Sequence, residues 1–238
     1  MLIKQLLIVT LLTVMANFAR SQFYVQFGVN LSNITNANGG SNEKNKLIPT
    51  FNIGAIGRFT LSDLIDLEPG VLLTGKGSRS ITYFANGDYV KSKFNPLYLE
   101  FPLNAIMKFP LNLKGKPTII ISAGPYAAVG VAGRLKREIQ SGNTVSISSS
   151  KIKFSNNIQQ SSPIQNASHE RLQRFDYGVN IGAGLDTKFF TIRAGYGIGL
   201  ANINSIQIAN AINNRNKYRV ASISFNVSLP EFKKMLQW

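Results

Sequence analysis

The chain contains no cysteine, which excludes disulfides, thiolate metal sites and cysteine nucleophiles together. It has a single histidine, His169, and only 11 acidic residues against 26 lysines and arginines, for a formal net charge of +15. Charged residues of both signs make up only 16% of the 238, well under the usual share for a soluble domain. Beyond the N-terminal segment no continuous apolar run approaches the ~18 residues of a membrane helix. What remains in quantity is glycine, 20 residues, and aromatic side chains, 10% of the chain.

The first 21 residues have the layout of a secretory signal peptide. Met1 to Lys4 form a basic start, Leu6 to Met15 are almost all apolar, and Ala19-Arg20-Ser21 gives a small-x-small cleavage pattern before Gln22. The apolar run falls short of the ~20 residues needed to span a bilayer, so an anchor is the weaker reading. The chain is therefore expected to divide into a signal peptide, residues 1–21, a barrel, residues 22–229, and a short periplasmic tail, residues 230–238.

The mature part repeats with period two. Phe23, Val25, Phe27, Val29 and Leu31 alternate with Tyr24, Gln26, Gly28 and Asn30, and Ala221 to Leu229 alternate in the same way. Six further segments fit between them: Phe51 to Thr60, Leu67 to Lys76, Leu97 to Phe109, Ile119 to Val131, Phe175 to Leu185 and Phe189 to Leu200. Each is about long enough to cross a membrane at the tilt of a barrel strand. The connections alternate between short turns, near Ser62-Asp63, Pro110 to Pro117 and Asp186 to Lys188, and long polar stretches, about 32–49, 77–96, 133–174 and 202–217. This predicts an all-β fold: one eight-stranded antiparallel transmembrane barrel, with short periplasmic turns and long extracellular loops. Ten strands result if Thr144 to Phe154 adds a hairpin to the ring. A soluble lipocalin-like barrel has the same periodicity turned inside out. Export, and a polar face of small residues suited to a narrow interior, favour the outer membrane of a Gram-negative bacterium.

By strand parity Arg58, Glu68, Glu100, Lys108, Asp176 and Arg193 share the polar face. On the lipid face a basic residue costs ~2–4 kcal/mol at mid-depth, so these six are expected inside. Arg58 neighbours Glu68, Glu68 and Glu100 lie on adjacent strands, and so do Asp176 and Arg193. The expected role is a structural salt-bridge plug; a proton or ion pathway is the alternative. Sixteen of the basic residues fall in or beside the long loops, among them Lys46, Lys76, Arg79, Lys91, Lys93 and Arg134. Lys136, Arg137, Lys151, Lys153, Arg171 and Arg174 are assigned to the phosphates of outer-leaflet lipid or lipopolysaccharide. Envelope or secretion-system proteins are further candidate partners. Export and the lack of any recognition motif argue against nucleic acid, and a monomer is expected.

No catalytic, cofactor-binding or metal-binding set emerges. Gly70 to Gly77 has phosphate-loop spacing but lacks the hydroxyl residue after Lys76 and a following helix. Gly195, Gly197 and Gly199 have the wrong spacing for a dinucleotide fold. His169 stands between Ser168 and Glu170 in the longest loop. Adjacent loop positions do not make a triad, so a rim-active lipid enzyme is a distant third reading behind a non-enzymatic envelope or partner-binding protein.

Several stretches resemble the PorT-like outer-membrane β-barrel proteins of Bacteroidetes-type bacteria. They include Gly28-Val29-Asn30-Leu31-Ser32-Asn33, Leu67-Glu68-Pro69-Gly70, Tyr98-Leu99-Glu100-Phe101-Pro102-Leu103-Asn104, Ala123-Gly124-Pro125-Tyr126 and Phe175-Asp176-Tyr177-Gly178. The resemblance covers the mature chain and implies an outer-membrane barrel. For the namesake it implies association with a secretion machine that also supports gliding. The chain departs from barrels that close on an aromatic strand end, since Pro230 to Trp238 follow the last alternating segment.

Overall fold

Among the described residues, fourteen strands are present in the computed structural model. It describes residues 22–36, 46–111, 117–155, 159–161, 171–187, 189–203, 206–208 and 216–229. The signal-peptide and tail segments lie outside the described residues. The strands are β1 (Gln22–Asn36), β2 (Ile48–Thr60), β3 (Ile65–Gly75), β4 (Ser78–Tyr83), β5 (Tyr89–Pro110), β6 (Thr118–Ser141), β7 (Thr144–Lys151), β8 (Lys153–Phe154), β9 (Gln159–Ser161), β10 (Arg171–Leu172), β11 (Phe175–Asp186), β12 (Phe190–Gly199), β13 (Ile206–Ile208) and β14 (Asn216–Ser228).

Eight of them close a ring of antiparallel pairs in the order β1, β2, β3, β5, β6, β11, β12, β14 and back to β1. Closure leaves no open edge inside the membrane, where an unpaired backbone group would cost several kcal/mol. Alternation fixes the orientation of the wall: Val29 is 58% exposed and its neighbour Asn30 is 2% exposed. Apolar side chains thus face outward and polar ones inward, as in a membrane barrel and unlike a lipocalin. Phe27 and Phe225, directly opposed on β1 and β14, stack at 5.8 Å on the outside. Outward aromatics mark both borders, with Phe23, Phe109 and Phe189 at the short-turn end and Phe51, Phe175 and Tyr177 at the other. On β5 the outward row runs from Phe109 to Leu97. At a strand rise of ~3.4 Å and a tilt of ~45° that is on the order of 28 Å of apolar height.

The long connections differ from the polar loops expected. β5 and β6 have 22 and 24 residues, about twice what a crossing needs. Their outer halves continue past the membrane border and pair with each other, flanked by β4 and β7. The result is a four-stranded extracellular sheet. Thr144 to Lys151 does form a hairpin, but on this sheet, so the ring count stays at eight. Here the outward positions of β5 and β6 are mostly polar or basic, but β4 and β7 place Ile81, Tyr83, Val145 and Ile147 on the same face, so hydropathy no longer marks the strand geometry. Gly87 and Gly142 take positive φ, +87° and +54°, at the two hairpin tips. At the junction between barrel and sheet β6 carries a bulge: Leu97 pairs with Ala132 but Tyr98 pairs with Gly130, leaving Val131 extra.

Candidate functional site

The interior holds two ion networks separated by a polar cavity. At the short-turn end Glu68 is shared by two arginines. Arg193 grips it with two bonds of 2.7 and 2.9 Å, and Arg58 Nη2 lies 3.1 Å away. Arg58 also reaches Asp186 at 2.9 Å and lies 4.8 Å over the Tyr24 ring. Thr191 donates to Asp186 and accepts from Arg58. Lys108 pairs with Asp66 at 2.7 Å beside this group. Gly182 leaves the room: a Cβ there would sit 3.4 Å from Arg193 Cδ and 2.9 Å from the Ala194 carbonyl oxygen.

At the long-loop end Lys76 is enclosed. Its ammonium lies 2.7 Å from Glu100 and 2.9 Å from Asp176. The Tyr126, Tyr98 and Tyr218 rings surround it, centred 4.1, 5.5 and 5.9 Å away. Oriented rings and two carboxylates offset the desolvation of a buried ammonium, which would otherwise cost several kcal/mol. Between the networks is a cavity of about 90 Å³, lined in part by Gln26, Asn30, Asn52, Asn104, Ser122 and Asn180. Gln26 donates to Asn52, and Asn52 to Asn30, at 3.0 and 2.6 Å.

Above the tyrosines the extracellular mouth is closed by an apolar plug. Ile152, Phe154, Leu172 and Ile203, from the connections after β7 and β12, pack with Phe94, Leu135, Tyr98 and Tyr218. Backbone bonds stitch these segments across the opening: Ser155 N to Leu172 O, Gln173 N to Ile203 O and Ile203 N to Asn216 O, at 2.9, 2.9 and 3.0 Å. Phe154 packs face to edge on Tyr98 at 5.6 Å. It fits only because residue 130 is glycine, since a Cβ there would meet its ring at 2.2 Å.

All six residues assigned by parity, Arg58, Glu68, Glu100, Lys108, Asp176 and Arg193, face the interior. Their pairing differs from strand adjacency. Arg193 is opposite Gly184 on β11, eight residues from Asp176, or ~27 Å along the strand, so Asp176 meets Lys76 instead. Glu68 and Glu100 fall into different networks, because Glu68 is opposite Asn104 and Glu100 opposite Leu72. Lys76, grouped with the loop cations in the sequence, is 2% exposed in the lumen. Lys76, Asp66 and Asp186 share the parity of Glu68 or Gly184, and that signal was available in the sequence; their places at strand ends hid it. Counted together, the four interior cations Arg58, Lys76, Lys108 and Arg193 face five carboxylates, Asp66, Glu68, Glu100, Asp176 and Asp186.

The extracellular sheet sorts the other cations by face. Arg79, Lys91, Lys93, Arg134, Lys136 and Lys151 share the outward face, while Arg137 lies on the opposite one with Leu135 and Phe94. Lys153 and Arg174 belong to the segments at the plug, and the side chain of Arg171 and all of His169 lie outside the described residues. At the tips Asp88 joins the two hairpins, accepting from Gly142 N at 2.8 Å and Ser141 Oγ at 3.3 Å. The Gly142 amide holds its carboxyl below the usual aspartate range, against a smaller upward effect of desolvation. The Tyr89 hydroxyl and then Lys91 hold Glu138 low in the same way, despite some desolvation.

A closed eight-stranded antiparallel ring, apolar outside and ionic inside, defines an outer-membrane β-barrel protein. The chain belongs to the family described as outer membrane protein beta-barrel domain, whose model matches residues 15–205. This places it in the Gram-negative outer membrane. Among solved structures it is similar to Neisserial surface protein A, at 13% identity and a TM-score of 0.43, over 88% of this chain and 99% of that one. It is also similar to Ail, the attachment invasion locus protein of Yersinia pestis, at 12% identity and a TM-score of 0.37, with the same coverage. No curated protein matches the chain.

Proposed function

We propose that this protein is a non-enzymatic, non-conducting barrel that works through its extracellular surface, as an envelope component or a docking platform. The observation that carries this reading is the double closure of the lumen. An ion network fills the short-turn end, and the Lys76 network lies beneath a stitched apolar plug. Cations held between two carboxylates, such as Lys76 and Arg58, obstruct the lumen and support a non-conducting reading. The barrel then serves to hold the four-stranded sheet rigidly above the membrane.

Reconstitution in planar bilayers tests it: the wild type is expected to give no unitary conductance. Stable porin-like steps would sink the proposal. A second reading, an accessory subunit of a PorT-type secretion and gliding apparatus, is supported by the resemblance of Tyr98 to Asn104 and neighbouring stretches. Its test is gene deletion: loss of secretion with an intact detergent barrier favours the accessory role, and detergent sensitivity alone favours the envelope role. Conversion of labelled lipid that His169→Ala abolishes would favour an enzyme over both.

A further inference from the structure

The outward face of the extracellular sheet contains an arrangement that costs the fold something. Lys136 is directly opposite Lys93, Lys93 is directly opposite Arg79, and Arg79 is bridged to Lys46. In antiparallel pairs opposed side chains project from the same face, so four cations form one lateral row over ~14 Å. Like charges directly opposed destabilise a sheet. One strand step nearer the membrane on the same face, Arg134 is opposite Lys151. Among the described residues none of these six forms an ion pair within 4 Å; the nearby Glu138 is held by Lys91 at 3.5 Å and attracts Lys136 only at longer range.

The height of the row is equally specific. On β5 the outward residues pass without a break from Leu99 and Leu97 through Asn95 to Lys93. Lys93 lies four residues beyond the last apolar one, ~13 Å along the strand and on the order of 10 Å above the apolar belt. A positive row that faces sideways at that depth points at lipid head groups, not at bulk solvent.

We propose that Lys46, Arg79, Lys93 and Lys136, with Arg134 and Lys151 below them, form a binding face for the phosphates of an outer-leaflet glycolipid of the lipid A type. Phosphate oxygens bridging adjacent ammonium and guanidinium groups replace the cross-strand repulsion with charge-assisted hydrogen bonds. This goes beyond the sealed-barrel reading and stands or falls separately from it, since conductance is not measured.

The test uses the full chain folded in neutral detergent and titrated with bisphosphorylated, monophosphorylated and dephosphorylated lipid A. Affinity is expected to fall in that order and to weaken with salt. The triple variant K46Q, K93Q, K136Q is expected to bind the bisphosphorylated lipid roughly tenfold more weakly. It should also melt no lower than wild type in detergent alone, because repulsion has been removed. A matched triple, R137Q, K153Q, R174Q, removes the same charge elsewhere and is expected to bind like wild type. Equal losses in both triples would assign the binding to bulk charge and overturn the proposal. So would undiminished binding of the dephosphorylated lipid, or no loss in the first triple.

Discussion

The ammonium of Lys76 lies 4.1 Å from the centre of the Tyr126 ring, and both groups converge on one oxygen of Asp176, at 2.9 and 3.1 Å. Lysine, tyrosine and aspartate therefore act as one unit, with Glu100 completing the charge. Lys76→Met is expected to leave two buried carboxylates without a counter-charge and to cost about 3–5 kcal/mol. Unfolding by urea in detergent, followed by heat-modifiable gel migration, measures it. An unchanged midpoint would mean that Glu100 and Asp176 are hydrated.

At the other end of the lumen, among the described residues, Glu68 is the single acceptor common to Arg58 and Arg193. Glu68→Gln is expected to destabilise by about 3–5 kcal/mol. A double-mutant cycle with Arg193→Met should return a coupling of ~1–3 kcal/mol. Additive effects would show that the Glu68–Arg193 pair contributes no coupling.

Gly130 and Phe154 predict a suppressor relationship. Gly130→Ala is expected to push the Phe154 ring off Tyr98, at a cost of about 1–3 kcal/mol from overpacking. It should also raise amide exchange over residues 152–155. Adding Phe154→Ala should recover part of the Gly130→Ala penalty, so the double variant is less damaged than the two losses summed. Simple additivity would remove Phe154 from the plug.

The hairpin tips should come apart in acid. The Asp88 carboxyl is held low in the folded sheet, so its tether to Gly142 is complete above the ordinary aspartate value of about 4. It is lost as pH falls through the lowered folded value. The protection factor of the Gly142 amide, its observed exchange rate set against the intrinsic rate at each pH from 6 down to 2, should fall only in that acid window. In Asp88→Asn the amide should show no such acid step. A step that survives in Asp88→Asn would assign the tether to another group.

Much of the ring was legible because its signal is redundant. Leu97 to Met107 and Phe190 to Leu200 each give five or more outward positions in succession, and a one-residue slip would invert all of them. The extracellular sheet was not legible by the same means. Tyr89 to Phe94 and Arg134 to Ser141 keep strand geometry, but Ser92, Arg137 and Ser141 on the inner face and Ile81, Val145 and Ile147 on the outer one blur the apolar contrast that reveals a strand. The interior pairs were half legible. Parity names the residues that face inward, whereas the strand register, which depends on neighbours in space, decides that Asp176 meets Lys76 and Arg193 meets Glu68.

Val131 has a consequence for the outer surface as a whole. Before it, the residues of β6 that face the lipid carry odd numbers, such as Ile119, Ile121, Ala123 and Ala127; after it they carry even numbers, Ala132, Arg134 and Lys136. One inserted residue thus acts as a frameshift written in space. The bulge absorbs it, with Gly130 inward and Ala132 outward on either side; drawing Val131 into the ladder opposite Leu97 would instead present Leu135, Arg137 and Ile139 outward and turn Arg134 and Lys136 inward against the apolar plug. The cationic edge of the extracellular half of β6 is in this sense held by how one residue is looped out, and the same sequence paired one step out of register would present a greasier edge.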